Sequence, residues 1–129
     1  MTLFEIVALY VAINLILAPV LMFRIGQVRI GKKINLGDGG DADLMSRIRA
    51  HGNFTENAPL LLLGLLALAS LSALPILLHI FGAGFTIGRI VHAFGMAGIL
   101  KQGRLIGTLS AILSYFGMAV TLLYLIIVT

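Results

Sequence analysis

Four stretches of nearly uninterrupted hydrocarbon side chain constrain this chain more than any other feature. They run roughly from Leu3 to Phe23, from Ala58 to Leu78, from Ile76 or slightly earlier to Leu100, and from Leu105 to Val128. A helix crossing a ~30 Å hydrocarbon layer needs about 20 residues at ~1.5 Å per residue, and it satisfies its own backbone groups. Each run meets that length. Of the 129 residues, 60% are hydrophobic and only 11% charged, with a mean hydropathy of +1.09. A soluble domain is about 45–50% apolar, and a chain this short has no interior large enough to hide the excess. The sequence predicts an all-α membrane protein, a four-transmembrane-helix bundle forming a single domain over residues 1–129.

The helix boundaries follow from the residues between the runs. Only Ser70 to Pro75 separates the second from the third, so a tight turn is expected there, with Ser72 capping a helix whose first turn holds Pro75. In the first connection, Gly37 to Gly40 read as a turn, and Asp41 or Asp43 suits a helix N-cap. The second helix is therefore expected to start near Asp41, well before its apolar part. Acidic Glu5 precedes the first run and the basic residues follow it, the reverse of a secretory leader, so that run is read as a helix. With no cysteine, the chain has neither disulfides nor thiol chemistry of its own.

The nine Lys and Arg set an orientation. Arg24, Arg29, Lys32, Lys33, Arg47 and Arg49 flank the first connection, and Lys101 and Arg104 flank the third; the two ends and the second turn carry none. The positive-inside rule places both termini outside the cytoplasm and these connections within it. The net charge of +4 is then a topological bias, and nucleic acid is not an expected partner.

Only Arg89 is left over, some eight to twelve residues before Lys101 together with His92. On the second helix Arg49, Asn53 and Glu56 fall at i, i+4 and i+7, one polar stripe that Leu60, Leu63 and Ala67 continue into the membrane. Intramembrane ionisable groups cost about 2.5–3.5 kcal/mol for an arginine at mid-bilayer, so they face the protein interior and mark function. Taken singly each has an ordinary reading: Arg47 and Arg49 as snorkelling interfacial cations, Glu56 as a structural partner of Arg89, His92 as a core histidine. Together they ring one cytoplasm-facing pocket of mixed charge, suited to a small zwitterion. No metal is expected, because the histidines lack ligand spacing.

These residues carry a resemblance. "RAHGNFTEN" (Arg49 to Asn57) is similar to the R-A-H-x-N-x-x-E signature of the MAPEG family, membrane-associated proteins in eicosanoid and glutathione metabolism. "GQVRIGKK" (Gly26 to Lys33) resembles the end of the family's first helix, and "GRIVHAFG" (Gly88 to Gly95) its G-R-x-x-H block. The resemblance implies a small bacterial inner-membrane protein, a homotrimer that holds glutathione at each subunit interface. By position Arg29, Asn53, Glu56 and His92 would bind glutathione, while Arg49 and Arg89 would have a more structural role, lining the polar funnel between helices. Arg104 would stabilise the glutathione thiolate, with Thr108 as an alternative hydroxyl.

There are departures from the family's prostaglandin synthase: Gly52 for an arginine, Met96 for a tyrosine one turn past His92, Leu105 for a serine and Thr108 for a tyrosine. The resemblance thus implies a glutathione transferase or peroxidase of lipophilic electrophiles drawn from the bilayer. Two other classes stay open: a non-catalytic glutathione- or lipid-binding membrane protein, favoured by the lost hydroxyls, and a small four-helix exporter. The exporter expects a carboxylate within an apolar helix, whereas Glu56 lies at a rim.

Overall fold

A computed structural model describes residues 1–128; Thr129, the last residue of the expected domain, lies outside them. Among the described residues the chain forms α1 (Leu3–Lys32), α2 (Ala42–Ser70), α3 (Pro75–Met96) and α4 (Gly103–Val128). α2 and α3 pack on each other, α1 packs on one flank of this pair, and α4 packs on the other. The core of the bundle is apolar, built around Leu61, Leu65, Leu68, Leu78 and Phe85, but a few polar side chains are buried with it and the outer surface is hydrocarbon. Asn14, Thr86, Arg89, His92 and Ser114 are buried, whereas Leu15, Ile16, Phe23, Leu113, Phe116 and Ile127 are exposed.

α1, α3 and α4 are each long and apolar enough to cross a membrane. Three candidate spans thus stand beside the four expected, α2 not being apolar enough along its length to count with them. This helix is long, but its first half carries Asp43, Arg47, Arg49 and Glu56, and it becomes continuously apolar only after Asn57. It begins as expected: Asp41 is the N-cap, its carboxylate accepting the Leu44 N–H at 2.8 Å. Lys32, at the end of α1, also donates to Asp41. That hydrogen bond, ahead of the one from Leu44, holds the exposed carboxyl below its ordinary range.

Ser72 does not cap α3. It lies in the left-handed region at φ 55°, and the Ala73 N–H reaches back to the Leu68 carbonyl at 3.0 Å, the closing pattern of a helix C-terminus. Ser72 therefore ends α2. Leu74 precedes α3 without a side-chain cap, and Pro75 opens the helix where its missing N–H is harmless. α3 also stops at Met96 rather than Leu100, because Gly98 takes φ 77° and the Ile99 N–H returns to the Phe94 carbonyl.

Polar side chains hold the helices in register, as expected where lipid offers no hydrophobic drive between them. Asn14 on α1 donates to Thr86 on α3 at 2.9 Å, and the Tyr10 hydroxyl lies 2.9 Å from His79 Nδ1. Tyr115 on α4 donates to the Asn57 side chain on α2 at 2.8 Å. Between α3 and α4 glycines remove the spacing that side chains would impose. A Cβ on Gly103 would collide with the backbone of Val91 and Gly95, and one on Gly107 with Gly88 and His92. This approach brings the end of α3 directly against the start of α4.

Candidate functional site

Three helices each contribute one i, i+4 pair to a single cavity of about 390 Å³: Arg49 and Asn53 from α2, His92 and Met96 from α3, Arg104 and Thr108 from α4. Such pairs lie one turn apart on the same helix face. The volume falls toward the lower end of the ~300–1,000 Å³ common for small-molecule sites. The cavity lies at the end of the bundle where α3 gives way to α4, which the Gly95–Gly103 contact makes possible.

Its charge is of one sign. Among the described residues Arg49 and Arg104 line it and no carboxylate does. Among the described residues no Asp or Glu forms an ion pair with Arg104, so its charge is available to a ligand. The Thr108 hydroxyl donates to the Arg104 carbonyl within α4 at 2.9 Å, leaving its oxygen lone pairs to the surroundings. A cleft with low-dielectric walls and one sign of charge concentrates the field on whatever enters it.

Arg89 lies behind this lining, 3% exposed. Its guanidinium donates to the Asn53 side-chain oxygen on α2 and to the Gly107 carbonyl on α4, and it stacks over Phe85 with 5.3 Å to the ring centroid. Among the described residues its Nε has no hydrogen-bond partner. One side chain thus ties α3 to both neighbours. The suggested Arg89–Glu56 pairing is corrected: Glu56 is exposed and meets Arg49 at 3.9 Å across Gly52. Glu56 shares the Arg49 face of α2 but lies at its exposed rim, where Arg49 and not Arg89 meets it.

Arg29 and Glu56 stay outside the cavity of a single chain. Arg29 donates to the Gly37 carbonyl at 2.8 Å and to the Ile34 carbonyl at 3.3 Å, closing the turn after α1; among the described residues α1 does not pack on α4. The cavity therefore unites Arg49, Asn53, His92, Arg104 and Thr108 of the sequence-derived residues, with Arg89 beneath them. The sequence reading passed over the glycine contacts, although the spacing of Gly84 with Gly88 and of Gly103 with Gly107 is the small-xxx-small signal of close helix packing. Among the described residues no group of His, Asp or Glu has the arrangement to hold a metal ion.

The chain matches the MAPEG family over residues 7–124, and it belongs to that family. It is an integral membrane protein by that membership and by its three spanning-length apolar helices. Among curated proteins it is similar to inner membrane protein YecN of Escherichia coli strain K12, 31% identical over 97 residues that cover 75% of this chain and 74% of the relative. The same protein from Escherichia coli O6:H1 strain CFT073 matches equally. No solved structure matches the chain significantly.

Proposed function

We propose that this protein is a homotrimeric glutathione-binding enzyme of the bacterial inner membrane, a transferase or peroxidase acting on lipophilic electrophiles. The observation that carries the reading is the cavity of two arginines, an asparagine, a histidine and a threonine with no carboxylate. Its donors suit the carboxylates and amide carbonyls of an acidic tripeptide, since guanidinium groups match carboxylates in geometry and charge. Arg49, Asn53 and His92 would hold the ligand. Arg29 and Glu56 take part only where a neighbouring copy brings them to the site, and the trimer provides for that. The similarity to an inner membrane protein supports the membrane assigned here. The positive residues at the first and third connections support a cytoplasm-facing site with both termini extracytoplasmic.

Bound glutathione supplies a thiol whose ionised form is a nucleophile. A free cysteine thiol, with a pKa near ~8.5, keeps most of its proton at neutral pH. Arg104, at the start of α4, offers a fixed positive charge against sulfur and favours the ionised form by opposite-charge attraction. Thr108, one turn on, orients from the same face. Leu105 is exposed on α4 beside them, an apolar approach from the bilayer for the second substrate.

A second reading, a non-catalytic binding protein, draws on Met96. It lines the cavity without any group that donates a strong hydrogen bond or moves a proton. Calorimetry of the detergent-solubilised protein with glutathione, followed by turnover with a lipophilic aryl halide and a hydroperoxide, separates the two. Binding with turnover supports the enzyme; binding with none leaves the binder; no binding removes both.

A further inference from the structure

Asn14 on α1 is 3% exposed, and its amide NH2 donates to the Tyr10 carbonyl at 2.8 Å and to the Thr86 hydroxyl at 2.9 Å. The Tyr10 carbonyl only accepts, so the amide cannot be turned round. Among the described residues its Oδ1 has no hydrogen-bond partner, and a buried acceptor left in that state is costly. Asn14 also lines a second cavity, of about 320 Å³, between α1 and α2. With both amide hydrogens engaged elsewhere, Oδ1 is what Asn14 has left for a ligand there.

Two prolines add to the same polarity. Pro19 in α1 and Pro59 in α2 have no N–H for the carbonyls of Leu15 and Thr55, one turn earlier, and both of those residues line the cavity. The Thr55 hydroxyl directs its hydrogen to the Gly52 carbonyl at 3.0 Å. The polar groups of the wall therefore accept and do not donate. The remainder is hydrocarbon, Val11 and Ala18 on α1 with Phe54, Ala58 and Leu62 on α2, and among the described residues no charged side chain lines it. Asn14 lies near the middle of the run from Leu3 to Phe23, a depth below the headgroup layer of a bilayer. A phospholipid headgroup does not reach it, and a fatty-acid carboxylate would meet acceptors and no cation. We propose that the α1–α2 cavity is a site within the bilayer for a lipophilic alcohol or phenol, whose hydroxyl donates to Asn14 Oδ1 while its hydrocarbon fills the groove. The site is built from other side chains than the arginine-lined cavity and does not rest on the glutathione reading.

Photolabelling of the full chain in phosphatidylcholine vesicles tests the proposal. The probes are decanol bearing a diazirine at its far end and the methyl ether of the same molecule, which keeps the hydrocarbon and loses the donor. The alcohol should label the α1 and α2 segments around the cavity roughly tenfold more than the ether, the ratio that one hydrogen bond to an otherwise unsatisfied acceptor provides. Asn14→Leu should bring the alcohol down to the level of the ether. Ala18→Phe fills the cavity from α1 while leaving Asn14 with Tyr10 and Thr86, and it should abolish labelling of these segments by both probes. Equal labelling of the wild type by alcohol and ether, as on any lipid-facing surface, would overturn the proposal, and so would full alcohol labelling of either variant. Absence of labelling by both probes in the wild type, the result expected where a second copy covers the groove, would overturn it as well.

Discussion

At the scale of single residues, Arg89 and Arg104 have opposite duties although both are arginines on the same side of the bundle. Arg89 is consumed by the fold, holding Asn53 and Gly107; Arg104 lies at the cavity wall without an ion-pair partner among the described residues. Replacing Arg89 by methionine removes two hydrogen bonds to a charged group, each contributing roughly 1.5–3 kcal/mol. A clear drop in the melting temperature is expected, and an unchanged one would mean the cross-links contribute nothing. The sequence singled out Arg89, His92, Arg49, Asn53 and Arg104 because ionisable or amide groups are costly among hydrocarbon. It assigned Arg89 and Arg49 a structural character together, but did not show that only Arg89 is buried or which groups it holds. That depends on which helix face meets which neighbour, and spacing along one helix does not settle the choice. Glu56 illustrates this: the stripe with Arg49 and Asn53 was legible, but its place on the outer rim was not.

At the scale of elements, the α3–α4 contact sets the width of the site. Gly103→Ala would drive a methyl group into the Val91 and Gly95 backbone, and such overpacking costs typically ~1–3 kcal/mol. The expected result is a lower melting temperature together with weaker ligand binding, since Arg104 follows directly in the chain; tolerance of the methyl group on both counts would deny the close approach. The turn between α1 and α2 offers a pH test. Asp41 is held below its ordinary value of 3.8 by Lys32, so its contribution is fully present above that value and fades as pH falls through the lower, folded one. Hydrogen exchange at the start of α2 should stay slow to about pH 4 and quicken only below it; quickening already at pH 6 would exclude Asp41 as the cause. Helix number, the Asp41 start and the Pro75 start were readable from caps and hydropathy. The end of α2 was not, because Ser72 in the left-handed conformation has no signature that separates it from an N-cap serine.

At the scale of the whole molecule, the outward-facing hydrocarbon of α1 and α4 and the few polar groups buried in an apolar core describe a membrane bundle whose site opens at one end. Two arrangements beyond the single chain are proposed. A reporter inserted at Gly39 should be cytoplasmic and one fused to the C-terminus extracytoplasmic; a cytoplasmic C-terminal reporter would turn the cavity to the wrong side. Native mass spectrometry should release three copies, which is what Arg29 and Glu56 need to reach a ligand; a monomer that binds glutathione with full dependence on both would contradict the shared site.

The ultraviolet absorbance of glutathione bound at neutral pH reads whether Arg104 stabilises a thiolate in the cavity. The wild type should show the thiolate band on binding. Arg104→Ala should retain much of the binding measured by calorimetry and lose the band, because the ground-state contacts of Arg49, Asn53 and His92 remain while the charge opposite sulfur is gone. Tight binding by the wild type with no thiolate band, or a band of full strength in Arg104→Ala, would contradict the account.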